Sequence, residues 1–221
     1  MTPTSTIIVL WFAFAGSHLA LSSTGIRGAL VATLGEWPFR GLYSVIALAL
    51  FVPLVDVYFA HKHAGPWLWM LPHTPALLAI VYVGTALAFV LAVAGLVQPS
   101  PAFVVPGAAE PRGVHLITRH PILMSFALLG LVHLLPNGST ADVAFFGGFV
   151  LFSLVGAAHQ DRRKLASGTP GFREFYEATP FLPFTGGSTL RGIRQVPVTA
   201  VAVGLLVTIG VRYFHSSWFG G

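Results

Sequence analysis

Residues 74–97 read TPALLAIVYVGTALAFVLAVAGLV, an uninterrupted apolar stretch without a single charged side chain. A helix needs roughly 20 apolar residues to cross the hydrocarbon core of a bilayer, so this stretch predicts a transmembrane helix. Five further stretches are also predominantly apolar: 5–22, 39–60, 121–136, 143–159 and 196–214. We therefore expect an all-α, polytopic membrane bundle of about six transmembrane helices, forming a single domain over residues 1–221.

The overall composition excludes most other classes of protein. Only 9% of the 221 residues are charged and 55% are hydrophobic, whereas an ordinary soluble domain is about a quarter charged. The mean hydropathy of +0.78 points the same way. A nucleic-acid partner is excluded on these grounds despite the net charge of +5. Because the chain has no Cys, disulfides, thiolate-ligated haem and Cys nucleophiles are excluded as well.

The basic residues predict the orientation of the bundle. With six spans, two fall on one side, Lys62 and Arg212, and ten fall on the other: Arg27, Arg40, Arg112, Arg119, Arg162, Arg163, Lys164, Arg173, Arg191 and Arg194. Cytoplasmic loops of membrane proteins are enriched in Lys and Arg. We therefore expect an integral protein of a bacterial inner membrane, with both termini outside and the 160–195 connection in the cytoplasm. Segment 24–36 and the aromatic part of 160–195 predict short helices lying in the interface.

Nine His residues are the most promising groups for chemistry in so apolar a chain. Five lie within or beside spans: His18, His115, His120, His133 and His159. Ionisable groups inside a membrane are functional candidates by default. Without Cys and with few acids in the spans, two His on different helices favour a b-type haem, since zinc or non-haem iron normally needs a third ligand. The loop residues His61, His63 and His73 read as interfacial, and Asp56 as an interfacial or structural acid.

A second candidate site lies where residues Arg119-His120-Pro121 enter a predicted span. Pro is favoured in the first turn of a helix, and the free N–H groups there bind anions. A haem propionate, a nucleotide phosphate, a lipid headgroup or a plain charged cap all fit this turn. Arg162, within Asp161-Arg-Arg163, falls on the same side of the membrane and lines the same predicted site.

Several of these motifs together resemble the NnrU family over roughly residues 5–185. They are Ser17-His-Leu19, Leu34-Gly-Glu36, Phe39-Arg-Gly-Leu-Tyr-Ser44, Ile117-Thr-Arg-His-Pro121, His133, Asn137-Gly138 and Asp161-Arg-Arg163. The family includes 15-cis-zeta-carotene isomerases and bacterial members associated with denitrification. The resemblance implies haem b between two axial ligands, His18 and His133, which also act in catalysis. The plant isomerase has a Cys three residues before the second His, and Gly130 stands there in this chain.

The implied mechanism is cis-trans isomerisation of a polyene after one His leaves the iron. Arg119 and Arg162, with His120, complete the predicted cofactor site, and the substrate slot is lined by Phe126, Phe145, Phe146, Phe149 and Phe152. Counting from the predicted helix centres offsets His18 and His133 by about 15 Å in depth. A pairing of His18 with His120 or His115 therefore stays open.

Two other functions remain open at this stage. One is a non-enzymatic haem protein that supports denitrification or nitric oxide metabolism. The other is a membrane methyltransferase, because Arg119-His-Pro121 followed by Phe172-Arg-Glu-Phe-Tyr176 and Phe181-Leu-Pro-Phe184 is similar to isoprenylcysteine carboxyl methyltransferases. The expected partners are a hydrophobic substrate within the bilayer, membrane lipid and a redox partner. The sequence does not determine the oligomeric state.

Overall fold

The computed structural model describes residues 1–101, 103 and 107–219, and the helical bundle predicted from the sequence is confirmed. Its helices are α1 (Pro3–Ser22), α2 (Thr24–Leu34), α3 (Glu36–Ala60), α4 (Pro75–Val97), α5 (Pro121–Leu134), α6 (Thr140–Ala166), α7 (Phe172–Ala178), α8 (Thr189–Gln195) and α9 (Val198–Phe219). A short 3₁₀ helix, Gly113–Leu116, precedes α5.

Five of these helices, α1, α3, α4, α6 and α9, are long and apolar enough to cross a membrane. The sixth predicted span, 121–136, corresponds to α5, which has 14 residues. At 1.5 Å per residue α5 measures about 21 Å, less than the roughly 30 Å of a hydrocarbon core. Helix α5 packs between α4 and α6 as a shorter apolar helix, so five helices and not six meet the length of a span among the described residues.

Local sequence signals explain where several helices begin. Thr2 and Thr74 precede α1 and α4, and each hydroxyl accepts a hydrogen bond from a free N–H of the first turn. Ser139 and Asp142 form a reciprocal capping box at the start of α6. Pro121 occupies the first position of α5, where its missing N–H costs nothing.

The long helices and α5 form a curved row in the order α3, α1, α6, α5, α4 and α9. Its two end helices meet where Phe59 stacks on Phe219 at 5.5 Å between ring centroids, and the Lys62 ammonium donates to the Phe219 carbonyl oxygen. We call this the N-terminal end of the bundle, because α1 also begins here, with Thr4 beside Thr140. The ten remaining Lys and Arg residues lie at the opposite end, which we call the basic end.

The connection after α6 packs differently from the prediction. Residues 172–178 do form a short helix, α7, but its aromatic face packs against the protein itself. Phe172 and Phe175 are fully buried against Leu165 and Tyr176 within the protein. A segment of seven residues can present its aromatic rings either to lipid or to a protein surface, and the sequence pattern is the same in both cases.

Glycine allows α9 to approach α4 closely at one point. A Cβ atom at Gly204 would lie 2.7 Å from the Cα atom of Val90, whereas at Gly210 nothing lies within 4 Å. We expect Gly204→Ala to lower the free energy of unfolding by about 1–3 kcal/mol, the usual cost of overpacking. Thermal unfolding in detergent checks this. The matched variant Gly210→Ala should unfold at the same temperature as the parent or higher, because alanine favours helix. Equal unfolding temperatures of the Gly204→Ala and Gly210→Ala variants would contradict the close contact at Gly204.

Candidate functional site

A large cavity opens at the N-terminal end, inside the curve of the helical row. Its volume is about 950 Å³, within the range of small-molecule sites. Helices α3, α4, α5, α6 and α9 all contribute to its wall, which is mainly apolar and rich in aromatic rings: Tyr58, Phe59, Tyr82, Phe89, Phe145, Phe146, Phe149, Tyr213 and Phe219. A long apolar molecule fits such a wall, because burying apolar surface stabilises its binding.

His133 lies in the wall of this cavity. Its Nδ1 donates to the Leu129 carbonyl oxygen one turn earlier in α5, at 2.8 Å, and its ring stacks on Phe146 at 5.0 Å. Because Nδ1 carries the proton, Nε2 of the neutral ring has a free lone pair, and it makes no hydrogen bond in the described structure. This is the arrangement in which an imidazole binds a metal, its other nitrogen held by a carbonyl.

The predicted aromatic slot is only partly formed. Phe145, Phe146 and Phe149 line the large cavity together. Phe126 lies on the outside of α5 with 44% of its surface exposed. Phe152 lies one turn further along α6, beside His18 and a different cavity. Phe145, Phe149 and Phe152 lie on one face of α6, but Phe152 is about 10 Å further along the helix than Phe145 and so reaches the other cavity.

His18 lines a separate, smaller cavity of about 170 Å³ toward the basic end. Its Nδ1 donates to the Phe14 carbonyl oxygen at 3.1 Å, and Tyr43 packs against its ring. His159 of α6 lines the same cavity, and its Nε2 is buried without a hydrogen-bond partner. His18 therefore shares its surroundings with His159 and not with His133.

The structure does not bring His18 and His133 together. The α5 residue that shares the small cavity with His18 is Leu123, ten positions before His133. Ten residues of helix measure about 15 Å, the offset predicted from the sequence. The two predicted axial ligands therefore line different cavities, and their binding to one haem iron stays a prediction. Neither His115 nor His120, the alternative partners predicted for His18, lines the cavity that holds His18.

Arg119 and His120 form a buried ionic cluster with Asp161 at the basic end. Arg119 Nε donates to Asp161 Oδ2 at 2.9 Å, and His120 Nε2 donates to Oδ1 at 2.8 Å. The guanidinium also donates to the Thr179 carbonyl oxygen at 2.8 Å and lies 4.2 Å from the centre of the Tyr176 ring. These contacts hold the start of α5 against α6 and against the segment that follows α7. A contact of Arg119 or His120 with a bound anion stays a prediction.

The two other predicted residues at the basic end have different surroundings. Arg162 is exposed at the end of α6. His115 is buried in the 3₁₀ helix with Phe175 against its ring, and neither of its nitrogens has a hydrogen-bond partner. Burial lowers the pKa of His115 to about 4, because the charged imidazolium loses its hydration. His115 is therefore neutral at physiological pH.

Sequence reasoning missed a second buried cluster, centred on Asp142. Asp142 has no exposed surface and accepts hydrogen bonds from Tyr58 OH at 2.9 Å, His63 Nδ1 at 2.9 Å and Ser139 Oγ at 2.7 Å. Asp56, expected as an interfacial or structural acid, is exposed on α3. The Ser139-x-x-Asp142 spacing is a capping-box signal that could have identified Asp142. Within residues 1–101, 103 and 107–219, no three His or acidic side chains form a group for a metal ion.

Comparison with known proteins gives a consistent set of relatives. The model of the family described as NnrU protein matches residues 6–221. Two chloroplastic 15-cis-zeta-carotene isomerases are similar to this chain. The one from Arabidopsis thaliana is 27% identical over 191 residues, covering 83% of this chain and 50% of its own length. The one from Zea mays is 25% identical over 226 aligned residues, covering 95% of this chain and 59% of its own length. The chain thus spans little more than half the length of these relatives, and no solved structure matches it.

Proposed function

The chain belongs to the NnrU family, and on this premise we propose that it is a membrane isomerase that rotates a cis double bond of a long polyene. The observation that carries the proposal is the 950 Å³ cavity, in which a His with a free Nε2 stands among aromatic rings. The relatives named above are isomerases of a carotene, a long conjugated polyene.

The cavity wall is suited to a flat, conjugated chain. Phe145, Phe146 and Phe149 come from one side of α6, and Tyr82 and Phe89 face them from α4. Aromatic rings stack on conjugated double bonds and exclude water from them. In this proposal the wall holds the polyene in one plane next to His133, so that a single double bond is presented to the reacting group.

The proposed cofactor is haem b, with His133 as the axial ligand from this chain; His63 and His215 line the same cavity. His18, the other ligand predicted from the sequence, lines the smaller cavity, so we place the proposed haem at His133. When bound, the haem supplies an iron that can change its oxidation state and ligation next to a polyene. The chain itself supplies Nε2 of His133, held in place by the Leu129 carbonyl oxygen.

The distribution of charge supports an orientation for the protein. We infer that the basic end, with ten of the twelve Lys and Arg residues, faces the cytoplasm of a bacterium, in agreement with the positive-inside tendency. The large cavity then opens toward the outer half of the inner membrane, where an apolar substrate dissolved in the bilayer can enter it.

The test combines a spectrum with an isomer assay on the full chain purified in detergent after expression with added haem precursor. We expect a Soret band with resolved α and β bands after dithionite reduction, and conversion of 15-cis-zeta-carotene measured by chromatography. A haem spectrum without isomerisation would contradict the enzymatic proposal and favour the role in nitric oxide metabolism. Isomerisation by protein free of haem would contradict the proposed haem cofactor but not the proposed isomerase activity.

A further inference from the structure

The two basic residues at the N-terminal end of the bundle both line the large cavity. All twelve Lys and Arg residues of the chain lie in described segments, and Lys62 and Arg212 are the two that contribute to this wall. The other ten lie at the basic end. Lys62 also donates to the carbonyl oxygen of Phe219 in the same wall, which uses one of its three N–H groups.

No acidic side chain among the described residues of the cavity wall balances these charges. Asp142 hydrogen-bonds to His63 of the wall, but its carboxylate is buried and already accepts from Tyr58, His63 and Ser139. Besides Lys62 and Arg212, the described residues of the wall include three His residues and no acidic side chain. The mouth of the cavity therefore has a positive potential, and its interior is apolar.

The cations lie at the rim and the apolar wall continues beyond them. Lys62 follows the end of α3, 6.0 Å from the centre of the Phe59 ring, and Arg212 lies 5.2 Å from the centre of the Tyr82 ring. From Tyr82 the wall continues along α4 to Phe89, seven residues or about 10 Å deeper. A ligand that matches this gradient has a negative group at one end and a long apolar body.

We propose that the natural substrate of the cavity is a polyene that ends in a carboxylate, with the carboxylate held at the rim by Lys62 and Arg212. This inference rests on the proposed function, because it assigns the chemical class of the molecule that is isomerised. A bare hydrocarbon makes no hydrogen bond to the two cations, of which Lys62 is half-buried and Arg212 is exposed. A carboxylate supplies charge-assisted hydrogen bonds there.

The test uses cis-parinaric acid, a conjugated polyene carboxylate that fluoresces when bound, and its methyl ester as the neutral counterpart. The full chain is placed in phosphatidylcholine nanodiscs at about pH 8.5, where the carboxylate is ionised and Lys and Arg keep their charge. A charge-assisted hydrogen bond contributes about 1.5–3 kcal/mol, so we expect the acid to bind at least roughly tenfold more tightly than the ester.

Charge-removing variants locate the effect. Arg212→Gln and Lys62→Gln should each weaken binding of the acid roughly tenfold and leave binding of the ester unchanged. Arg194→Gln is the matched control, because Arg194 is an exposed cation of α8 at the opposite end of the bundle. This control should bind both probes as the parent does.

Each other outcome overturns the inference in a distinguishable way. Equal affinity for acid and ester, or no loss in the rim variants, would show that the charge is not recognised, while the proposed isomerase remains intact. Binding of neither probe would remove the cavity as a polyene site, and with it the proposed function. Loss of acid binding in discs of anionic phosphatidylglycerol would mean that a bilayer lipid occupies the rim instead of a carboxylated polyene.

Discussion

His133→Leu is expected to lower the isomerisation rate roughly 100-fold or more and to remove the haem spectrum of the purified protein. Leucine fills the space of the imidazole and favours helix, so α5 should be retained, while the free Nε2 in the large cavity is lost. Loss of one group that acts on the reacting centre commonly costs 10²–10³ in rate. The measurements are the isomer assay and the reduced-minus-oxidised spectrum, with thermal unfolding to establish that the variant is folded.

The chain offers a matched control in His61. Its Nδ1 makes the same type of hydrogen bond, to the Val57 carbonyl oxygen at 3.0 Å, but the residue is exposed and lines neither cavity. His61→Leu should keep both the spectrum and the rate. His18→Leu should also keep the spectrum, because His18 lies in the smaller cavity. Loss of haem from His18→Leu equal to that from His133→Leu would contradict this separation of the two residues.

Asp161→Asn is expected to destabilise the fold by about 3–5 kcal/mol. The change leaves the buried guanidinium of Arg119 without its counterion, and removal of one partner of a buried ion pair has a cost of this size. For a chain of this length the temperature of unfolding should fall by about 10 °C in detergent. Spectra and isomerisation at low temperature should be close to those of the parent, since the cluster lies at the basic end and lines neither cavity.

Two further variants distinguish the ion pair from a general effect of lost charge. Asp56→Asn removes an exposed acid of α3 and should change the unfolding temperature by less than about 2 °C. The double variant Arg119→Met with Asp161→Asn should cost less than the sum of the single changes, because neither charge is then left buried alone. Additive costs would argue that the two side chains are not coupled.

The membrane fold was predictable because it depends on composition and length. Apolar stretches of about 20 residues must form helices in a bilayer, since only a helix satisfies all of its own backbone hydrogen bonds there. The helix starts at Thr74 and Pro121 were predictable because they depend on neighbouring residues alone. The same holds for α2, which lies within the short helix predicted over residues 24–36. Membership of the NnrU family was also predictable, from motifs read in sequence, and it is confirmed.

The individual site residues were harder to predict, because function depends on which side chains share a cavity. His18 and His133 each carry the same local signal, an intramembrane His whose Nδ1 donates to the carbonyl oxygen one turn earlier. Nothing in either segment tells which cavity it lines. Arg119 and His120 read as an open anion site, but Asp161, more than forty positions away, is their partner.

By itself, then, the sequence determined the class of the protein, its helices, their alternation between two ends and its family, because these follow from local hydrophobicity, charge and motif. Only the tertiary structure decided that α3 and α9 contribute to one cavity, that His133 lines it while His18 does not, and that Lys62 and Arg212 both line it. The physical reason is that these relations join residues up to 150 positions apart, and they are set by the order in which the helices pack.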